Sequence, residues 1–483
     1  MKILHVAAEA VPFAKTGGLA DVVGSLPKEL IKQGFDVRVI MPKYRNIPSH
    51  LKEDIIFKRM ISVPVGWKSQ YCGIEETTHE GVTFYFIDNE YYFGREGLYG
   101  YWDEAERFSF FCRGVLESLP YLGLSPDIIH CHDWHAGLIS LFLKTHFIDN
   151  PFYKNIRTVC TIHNLNYQGI YPKKVLYELL DLGDEFFTPE GVEFFGQVNF
   201  LKAGLVFSDC LTTVSRTYAQ EIKSPFYGVK MEGILKKRSQ DLYGIINGID
   251  YEVYDPLTDP EVFFPFRRSL QKKQKNKLKL QELLNLPQNA DIPMIALVSR
   301  LVEQKGLDLI IGVLDEILDM DVQLVVLGTG EYGYEKKLLE KSRLFSDKMS
   351  VNIMFADSLA RKIYAGSDLF LMPSIFEPCG IGQLIALRYG SIPIVRETGG
   401  LKDTIQSYNE YTGEGNGFSF SNINAHDMLH TIRRAVYFYH QKKVWTKIIT
   451  NATKVDYSWE KSAAEYVELY KKLVNPSKGK LDH

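Results

Sequence analysis

Short apolar runs, each followed by a stretch with helical periodicity, recur in two separate series along this chain. That double series constrains the fold more than any other feature. Near the N-terminus KILHVAAE is a buried-strand candidate, a Gly-bearing turn follows, DVVGSLPKELIKQG has apolar positions at helical spacing, and DVRVIMP reads as a second strand. Strand, helix and strand joined by a short crossover demand a parallel sheet. VTFYFID, DIIHCH, RTVCTIH and CLTTVS extend it, with helical segments such as ERFSFFCRGVLESL between them. From residue 291 a second series begins: PMIALVSR, VQLVVLG, VNIMFA, DLFLMP and IPIVRE as strands, with GLDLIIGVLDEILD, SLARKIYAGS and QLIALRYG as helices. The expectation is an α/β chain of two doubly wound domains. YGIINGIDYEVYDP links them, with turn signals at Asn247-Gly248 and Asp255-Pro256. The basic run RRSLQKKQKNKLKLQ reads as a solvated helix face rather than a polyanion site. YSWEKSAAEYVELYKKLV reads as a long amphipathic helix.

Length agrees with this division, since 483 residues suit about three domains of ~150 residues or two larger ones. With 45% hydrophobic and 24% charged residues, the chain is neither disordered nor low-complexity. Lys+Arg number 56 against 59 Asp+Glu, a net charge of −3, whereas a protein that neutralises nucleic-acid phosphates is usually basic. Cys72, Cys112, Cys131, Cys160, Cys210 and Cys379 form no CxxC pair and read as reduced core thiols of a cytoplasmic protein. MKILHVAAEA has too short an apolar run, cut by Glu9, for a signal peptide. No stretch approaches the ~18 apolar residues of a membrane-spanning helix, so no membrane partner is expected.

Ligands of open α/β sheets bind beyond the carboxyl ends of the strands, so the segments after each strand hold the candidate chemistry. Lys15-Thr16-Gly17-Gly18-Leu19-Ala20-Asp21 follows the first strand and opens the first helix. Two glycines, a cation and a helix N-terminus suit a phosphate, although a plain tight turn would use the same residues. The segment is neither GxGxxG nor a P-loop, which argues against nicotinamide or P-loop chemistry. Glu397-Thr398-Gly399-Gly400-Leu401 repeats the pattern in the second series. Ser299-Arg300-Leu301-Val302-Glu303-Gln304-Lys305-Gly306 offers two cations to a departing phosphate, or two solvated charges in a loop. In Phe376-Glu377-Pro378-Cys379-Gly380 the carboxylate could act on sugar hydroxyls or on developing positive charge, and neither a glycosidase pair nor a cysteine nucleophile is determined by the pattern. His130-Cys131-His132-Asp133-Trp134-His135 and Thr161-Ile162-His163-Asn164 invite a zinc reading. Strand alternation puts His130 and His132 on one face and Cys131 on the other, which favours hydrogen bonding at strand ends over a metal. Asp133 and His163 fall where loops would meet a sugar.

KTGGLADV, HDWH, THN, NGID, SRLVEQKG, FEPCG and TGGL stand here in the order found in bacterial glycogen synthases and plant starch synthases, and the chain resembles that family over about residues 1 to 475. The resemblance implies the GT-B fold, two Rossmann-like doubly wound domains facing each other across a deep cleft. It implies an N-terminal domain over 1–245, a C-terminal donor-binding domain over 246–455 and a terminal segment, 456–483, crossing back to the first domain. The implied reaction is transfer of glucose from ADP-glucose to the nonreducing end of an α-1,4-glucan such as glycogen, with retention and with no metal or cofactor. On this sequence the resemblance sets Lys15, Gly17 and Gly18 against the donor's diphosphate and sugar, with Asp21 near the nucleotide. Arg300 and Lys305 neutralise the leaving diphosphate, and Glu377 binds glucose hydroxyls. Backbone amides at and after Cys379 and Gly380 hold the donor, and Thr398, Gly399, Gly400 and Leu401 complete a phosphate cradle. Asp133, His163 and Asn247 line the sugar site, His163 through its backbone carbonyl as well as its ring. Three departures stand out: Ile381-Gly382 replaces Leu-Thr of many members, Phe355 replaces a Tyr stacked on adenine, and the segment at Tyr92 and Phe93, implied to meet the glucan, differs.

Overall fold

The first apolar series folds into a nine-stranded sheet. The computed structural model describes residues 1–475; residues 476–483, the end of the expected terminal segment, lie outside them. In chain order the strands of the first series are β1 (Lys2–Val6), β2 (Asp36–Pro42), β3 (Ile56–Val65), β4 (Lys68–His79), β5 (Val82–Asp88), β6 (Ile128–His132) and β7 (Arg157–Ile162). β8 (Ile170–Pro172), β9 (Glu193–Phe194) and β10 (Gln197–Asn199) make a small separate sheet, and β11 (Cys210–Thr213) and β12 (Leu242–Gly244) return to the large one. The order is β12-β11-β7-β6-β1-β2-β5-β4-β3. From β12 to β5 the pairs are parallel, whereas β4 pairs antiparallel with both β5 and β3. The sequence reading did not find this β3–β4 hairpin. Lys58-Arg59 and Glu75-Glu76 interrupt its two strands, and most of β3 is exposed, so no long apolar run marks it.

The second series gives a parallel six-stranded sheet of β13 (Met294–Val298), β14 (Gln323–Leu327), β15 (Met349–Asn352), β16 (Leu369–Met372), β17 (Ile392–Arg396) and β18 (Phe418–Phe420). Its order is β15-β14-β13-β16-β17-β18. β13, β14, β16 and β17 are wholly or largely buried, as expected of strands covered on both faces, whereas the edge strand β15 is only partly buried.

Contacts divide the chain into two units. Unit 1 holds residues 1–214, 219–245 and the stretch from Trp459; unit 2 holds 215–218 and Ile246–Ser458. The helix Trp459–Val474 packs on the helix Gly18–Lys32, and Trp459, Tyr466 and Tyr470 join Ile3, Val22 and Leu26 in one apolar cluster. In unit 2, Ser215 Oγ donates to the Pro378 carbonyl at 2.6 Å and the Thr217 amide donates to Asp403 at 2.9 Å, which binds that short segment there.

The basic run forms the helix Leu270–Leu283, and Lys272, Lys275 and Lys279 are exposed as a solvated face would have them, but the run is not solvated throughout. Lys273 and Lys277 are buried. Lys277 Nζ lies 2.6 Å from Asp368 Oδ2 and donates to the Ala290 carbonyl and the Tyr439 hydroxyl. Lys273 Nζ donates to the carbonyls of Tyr364, Ala365 and Tyr389. Burial pulls the Lys273 ammonium down to about 7. Long apolar stems let lysines cross a core provided the head finds acceptors.

Candidate active site

Strand order reverses between β1 and β6 in unit 1 and between β13 and β16 in unit 2. Such switch points are where doubly wound sheets open a ligand crevice. The KTGGL and HDWH segments follow β1 and β6, and the SRLVEQKG and FEPCG segments follow β13 and β16, so four of the candidate loops stand at switch points.

In unit 2, Lys305 sits on a single turn, Glu303–Lys305, and its Nζ donates to Glu377 Oε2 at 2.5 Å. Ser374 Oγ donates to the same oxygen at 3.0 Å. The Ile375 amide donates to the Gln304 carbonyl, and Gln304 Nε2 donates to the Phe376 carbonyl. The two loops are therefore laced together on either side of the Lys305–Glu377 pair. Arg396, at the end of β17 and 4% exposed, donates through its guanidinium to the carbonyls of Ser374, Ile375 and Ser421. Sequence reasoning missed Arg396; its only signal is a cation closing an apolar strand.

The helix Gly399–Thr404 begins against this loop, with Thr398 as its cap residue. The Gly400 amide donates to the carbonyls of Glu377 and Pro378. Gly399 has φ +43, and a Cβ at Gly400 would stand 2.2 Å from the Cys379 carbonyl oxygen. The second Gly-Gly-Leu motif thus lets a helix start touch the FEPCG backbone. The Leu401 side chain is wholly buried in the core, so it packs and cannot reach a ligand. Cys379 is buried, with its thiol pushed up to about 12 by desolvation, which leaves no nucleophilic thiolate. Gly380 has φ +74. Asn247 is buried with its Oδ1 unpartnered. Arg300 is exposed, and its guanidinium has no protein partner among the described residues. Phe355 is 90% exposed in the loop after β15, apart from β13 and β16.

In unit 1 the loop after β1 is organised by buried Glu9, a residue the motif reading passed over. Its carboxylate accepts the amide and hydroxyl of Thr16 and the hydroxyl of Tyr99. This fixes the turn into the helix Gly18–Lys32 and leaves Gly17 with open space where a Cβ would be. Lys15 Nζ lies 2.7 Å from Asp21 Oδ1.

Asp133 follows β6 with φ +56 and ψ −171, a conformation strained for any residue with a side chain. Its amide donates to the Thr161 carbonyl, and its carboxylate accepts the amides of His163 and Asn164. Those bonds favour the anion, yet burial outweighs them and pushes the carboxyl up to about 7. The register puts His5 beside His130 and His132 beside Thr161. The rings of His130 and His132 stack at 4.3 Å. His5, His130 and His132 offer ligand atoms within 4.8 Å of one another. Five of their six nitrogens are engaged otherwise: both of His130 with Tyr470 and Thr161, both of His132 with His5 and His163, and His5 Nδ1 with His132, leaving His5 Nε2 alone. Burial pulls His163 down to about 3, so it is neutral.

One expectation is corrected. Tyr92 and Phe93 are fully buried, and the Tyr92 hydroxyl donates to Glu106 at 2.5 Å. They belong to the core beside the helix Glu104–Ser118 and cannot touch a glucan; the exposed ring of that turn is Tyr91.

The family described as starch synthase catalytic domain matches residues 2–237, and glycosyl transferases group 1 matches residues 284–455. A glycogen synthase of Desulforamulus reducens is 58% identical over 98% of this chain and 99% of its own length. One of Anoxybacillus flavithermus is 53% identical over 98% of both chains. The catalytic domain of starch synthase IV from Arabidopsis thaliana, solved with ADP and acarbose, superposes with a TM-score of 0.91 at 33% identity, over 98% of this chain and 99% of that one. Sucrose-phosphate synthase from Thermosynechococcus elongatus, at 15% identity over 99% of this chain and 100% of that one, shares the fold with a TM-score of 0.62. Two Rossmann-like units with these motif loops at their switch points, and full-length relatives of this identity, place the chain in the glycogen and starch synthase family of GT-B glycosyltransferases.

Proposed function

We propose that this enzyme transfers glucose from ADP-glucose to the nonreducing end of an α-1,4-glucan with retention at the anomeric carbon. The observation that carries the reading is the Lys305–Glu377 pair, laced into the FEPCG loop and abutted by the Gly399-Gly400 helix start. It joins a compact cation, a carboxylate and a close-approach backbone, the groups needed by a departing diphosphate and a sugar.

In this reading Lys305 and Arg300 stabilise charge developing on the leaving diphosphate. Glu377 accepts from glucose hydroxyls. Cys379 and Gly380, with Thr398, Gly399 and Gly400, hold the donor through backbone groups, and Leu401 supports them from the core. Phe355, already exposed, stacks on the base. Lys15, Gly17, Gly18 and Asp21 attend the diphosphate and sugar from unit 1, where Lys15 exchanges its Asp21 partner for phosphate. Asp133 orders the His163 backbone, and His163 and Asn247 line the sugar. The departing phosphate helps remove the acceptor's proton in a front-face displacement through an oxocarbenium-like state. A reducing cytoplasm suits six unpaired, buried cysteines.

The test incubates the protein with glycogen and either ADP-glucose or UDP-glucose, measuring nucleotide release and glucan growth. Growth mainly from ADP-glucose is expected. Growth mainly from UDP-glucose would overturn the donor, and growth from neither in folded protein would overturn the reaction.

A further inference from the structure

Three buried imidazoles form one hydrogen-bonded chain in unit 1. His5 Nδ1 lies 2.9 Å from His132 Nε2, and His132 Nδ1 lies 2.9 Å from His163 Nε2. The chain runs from β1 through the last residue of β6 to the loop after β7. Its two end nitrogens, His5 Nε2 and His163 Nδ1, are buried without a partner. His130 stacks beside the chain but bonds elsewhere, to Tyr470 and Thr161. Burial keeps all three members neutral, with His5 and His163 pulled down to about 3 and His132 well below its ordinary range.

A neutral imidazole has one proton for two nitrogens. His132 uses both nitrogens in the chain, so it donates with one and accepts with the other. Only two arrangements satisfy both bonds. In the first, His5 Nδ1–H donates to His132, His132 Nδ1–H donates to His163 Nε2, and the His163 proton is on Nδ1. In the second, every bond reverses and a proton is left on His5 Nε2. That leaves an N–H with no acceptor on a side chain with 0% exposure, and orphaned buried donors are rarer than orphaned lone pairs. The first arrangement leaves only a lone pair there. Its spare N–H is on His163 Nδ1, which is equally without a protein acceptor, but His163 keeps 8% exposure in the loop after β7, where a ligand hydroxyl can supply the acceptor that the centre of the sheet cannot.

We infer that His5 and His132 are positioning residues that fix His163 as its Nδ1–H tautomer, a neutral donor presented to a hydroxyl of the transferred sugar. The contact with sugar rests on the proposed function; the tautomer does not. A neutral donor grips a hydroxyl without setting a full positive charge beside a sugar ring that itself becomes positive.

The test uses full-length protein labelled with 15N-histidine and long-range 1H–15N spectra at neutral pH, with His163 assigned by a His163→Gln variant. Wild-type His163 is expected to carry its proton on Nδ1; a proton on Nε2 overturns the inference. This measurement needs no substrate. An Nδ1–H signal in protein that makes no glucan from ADP-glucose would therefore sink the proposed function and the sugar contact, and uphold the tautomer. In the kinetic arm, His5→Phe removes the first donor. It should give mixed His163 tautomers and lower kcat about tenfold, the rate equivalent of one lost positioning interaction, with KM for ADP-glucose within about twofold. His5→Asn supplies an amide N–H and should restore the Nδ1–H signal and most of kcat. Equal kcat losses in both variants with an unmoved tautomer would show a packing role instead.

Discussion

Lys305 and Glu377 are 16% and 9% exposed at their side chains, and each is the other's only ion-pair partner among the described residues. Exchange of either therefore leaves the other poorly compensated and removes one group from the transfer step. Lys305→Ala and Glu377→Gln should each lower turnover about 10²- to 10³-fold, the usual loss for one charge-stabilising group, with cooperative unfolding retained. Near-normal turnover of folded protein would take that residue out of the chemistry. The loops carrying these residues could be read from the sequence because a strand, a glycine or cation cluster and a helix start stand next to one another in the chain. Glu9, Tyr99 and Arg396 could not. Their work is to hold backbone that is distant in sequence, as in the 90-residue separation between Tyr99 and Glu9. Tyr92 and Phe93 misled for a related reason, since a ring's type does not reveal which way a single helical turn faces.

The helix Leu270–Leu283 shows the same lesson at the scale of an element. Its charge pattern is that of a surface helix, yet Lys277 penetrates to Asp368, which also accepts the Met294 amide at the start of β13. Lys277→Met strands that carboxylate. Breaking a buried pair from one side costs about 3–5 kcal/mol, and a lower urea midpoint should report it; an unchanged midpoint would mean that water already reaches Asp368. Elements made of continuous apolar runs were legible, which is why the strands at both switch points fell where the periodicity put them. The hairpin β3–β4 and the three-residue strands β12 and β18 were not legible, because β3 is largely solvated, β4 mixes polar and apolar residues without a continuous apolar run, and the others are too short to show a period.

For the whole molecule, acid is the vulnerable side. His5, His130, His132, His135 and His163 are all buried and all held below the ordinary 6.5 by desolvation. The unfolded chain takes up those protons as pH falls through 6.5, and the folded chain does not. Their contribution to stability is thus full above 6.5 and lost on acidification, at about 1.4 kcal/mol per pH unit for each proton withheld. Asp133 acts in the opposite sense. Its carboxyl, raised from 3.8 to about 7, stays protonated in the fold where the unfolded chain has ionised. Its contribution is full below 3.8 and lost as pH rises to 7. Five groups against one give a melting temperature that falls steeply below pH 6.5. A flat calorimetric profile from pH 8 to 5 would mean that the imidazoles are hydrated or already charged.

The helix Trp459–Val474 supplies Trp459, Tyr466 and Tyr470 to the core of unit 1, and the Tyr470 hydroxyl meets His130 at 2.7 Å. A ribosome makes residues 1–245 well before this helix, with residues 246–458 of unit 2 in between. During synthesis the nascent first unit therefore waits with an open apolar groove and an unsatisfied histidine at the centre of its sheet. Its completion is a signal that translation has passed residue 470, and a chain released early is left bearing the kind of sticky surface that chaperones and proteases recognise.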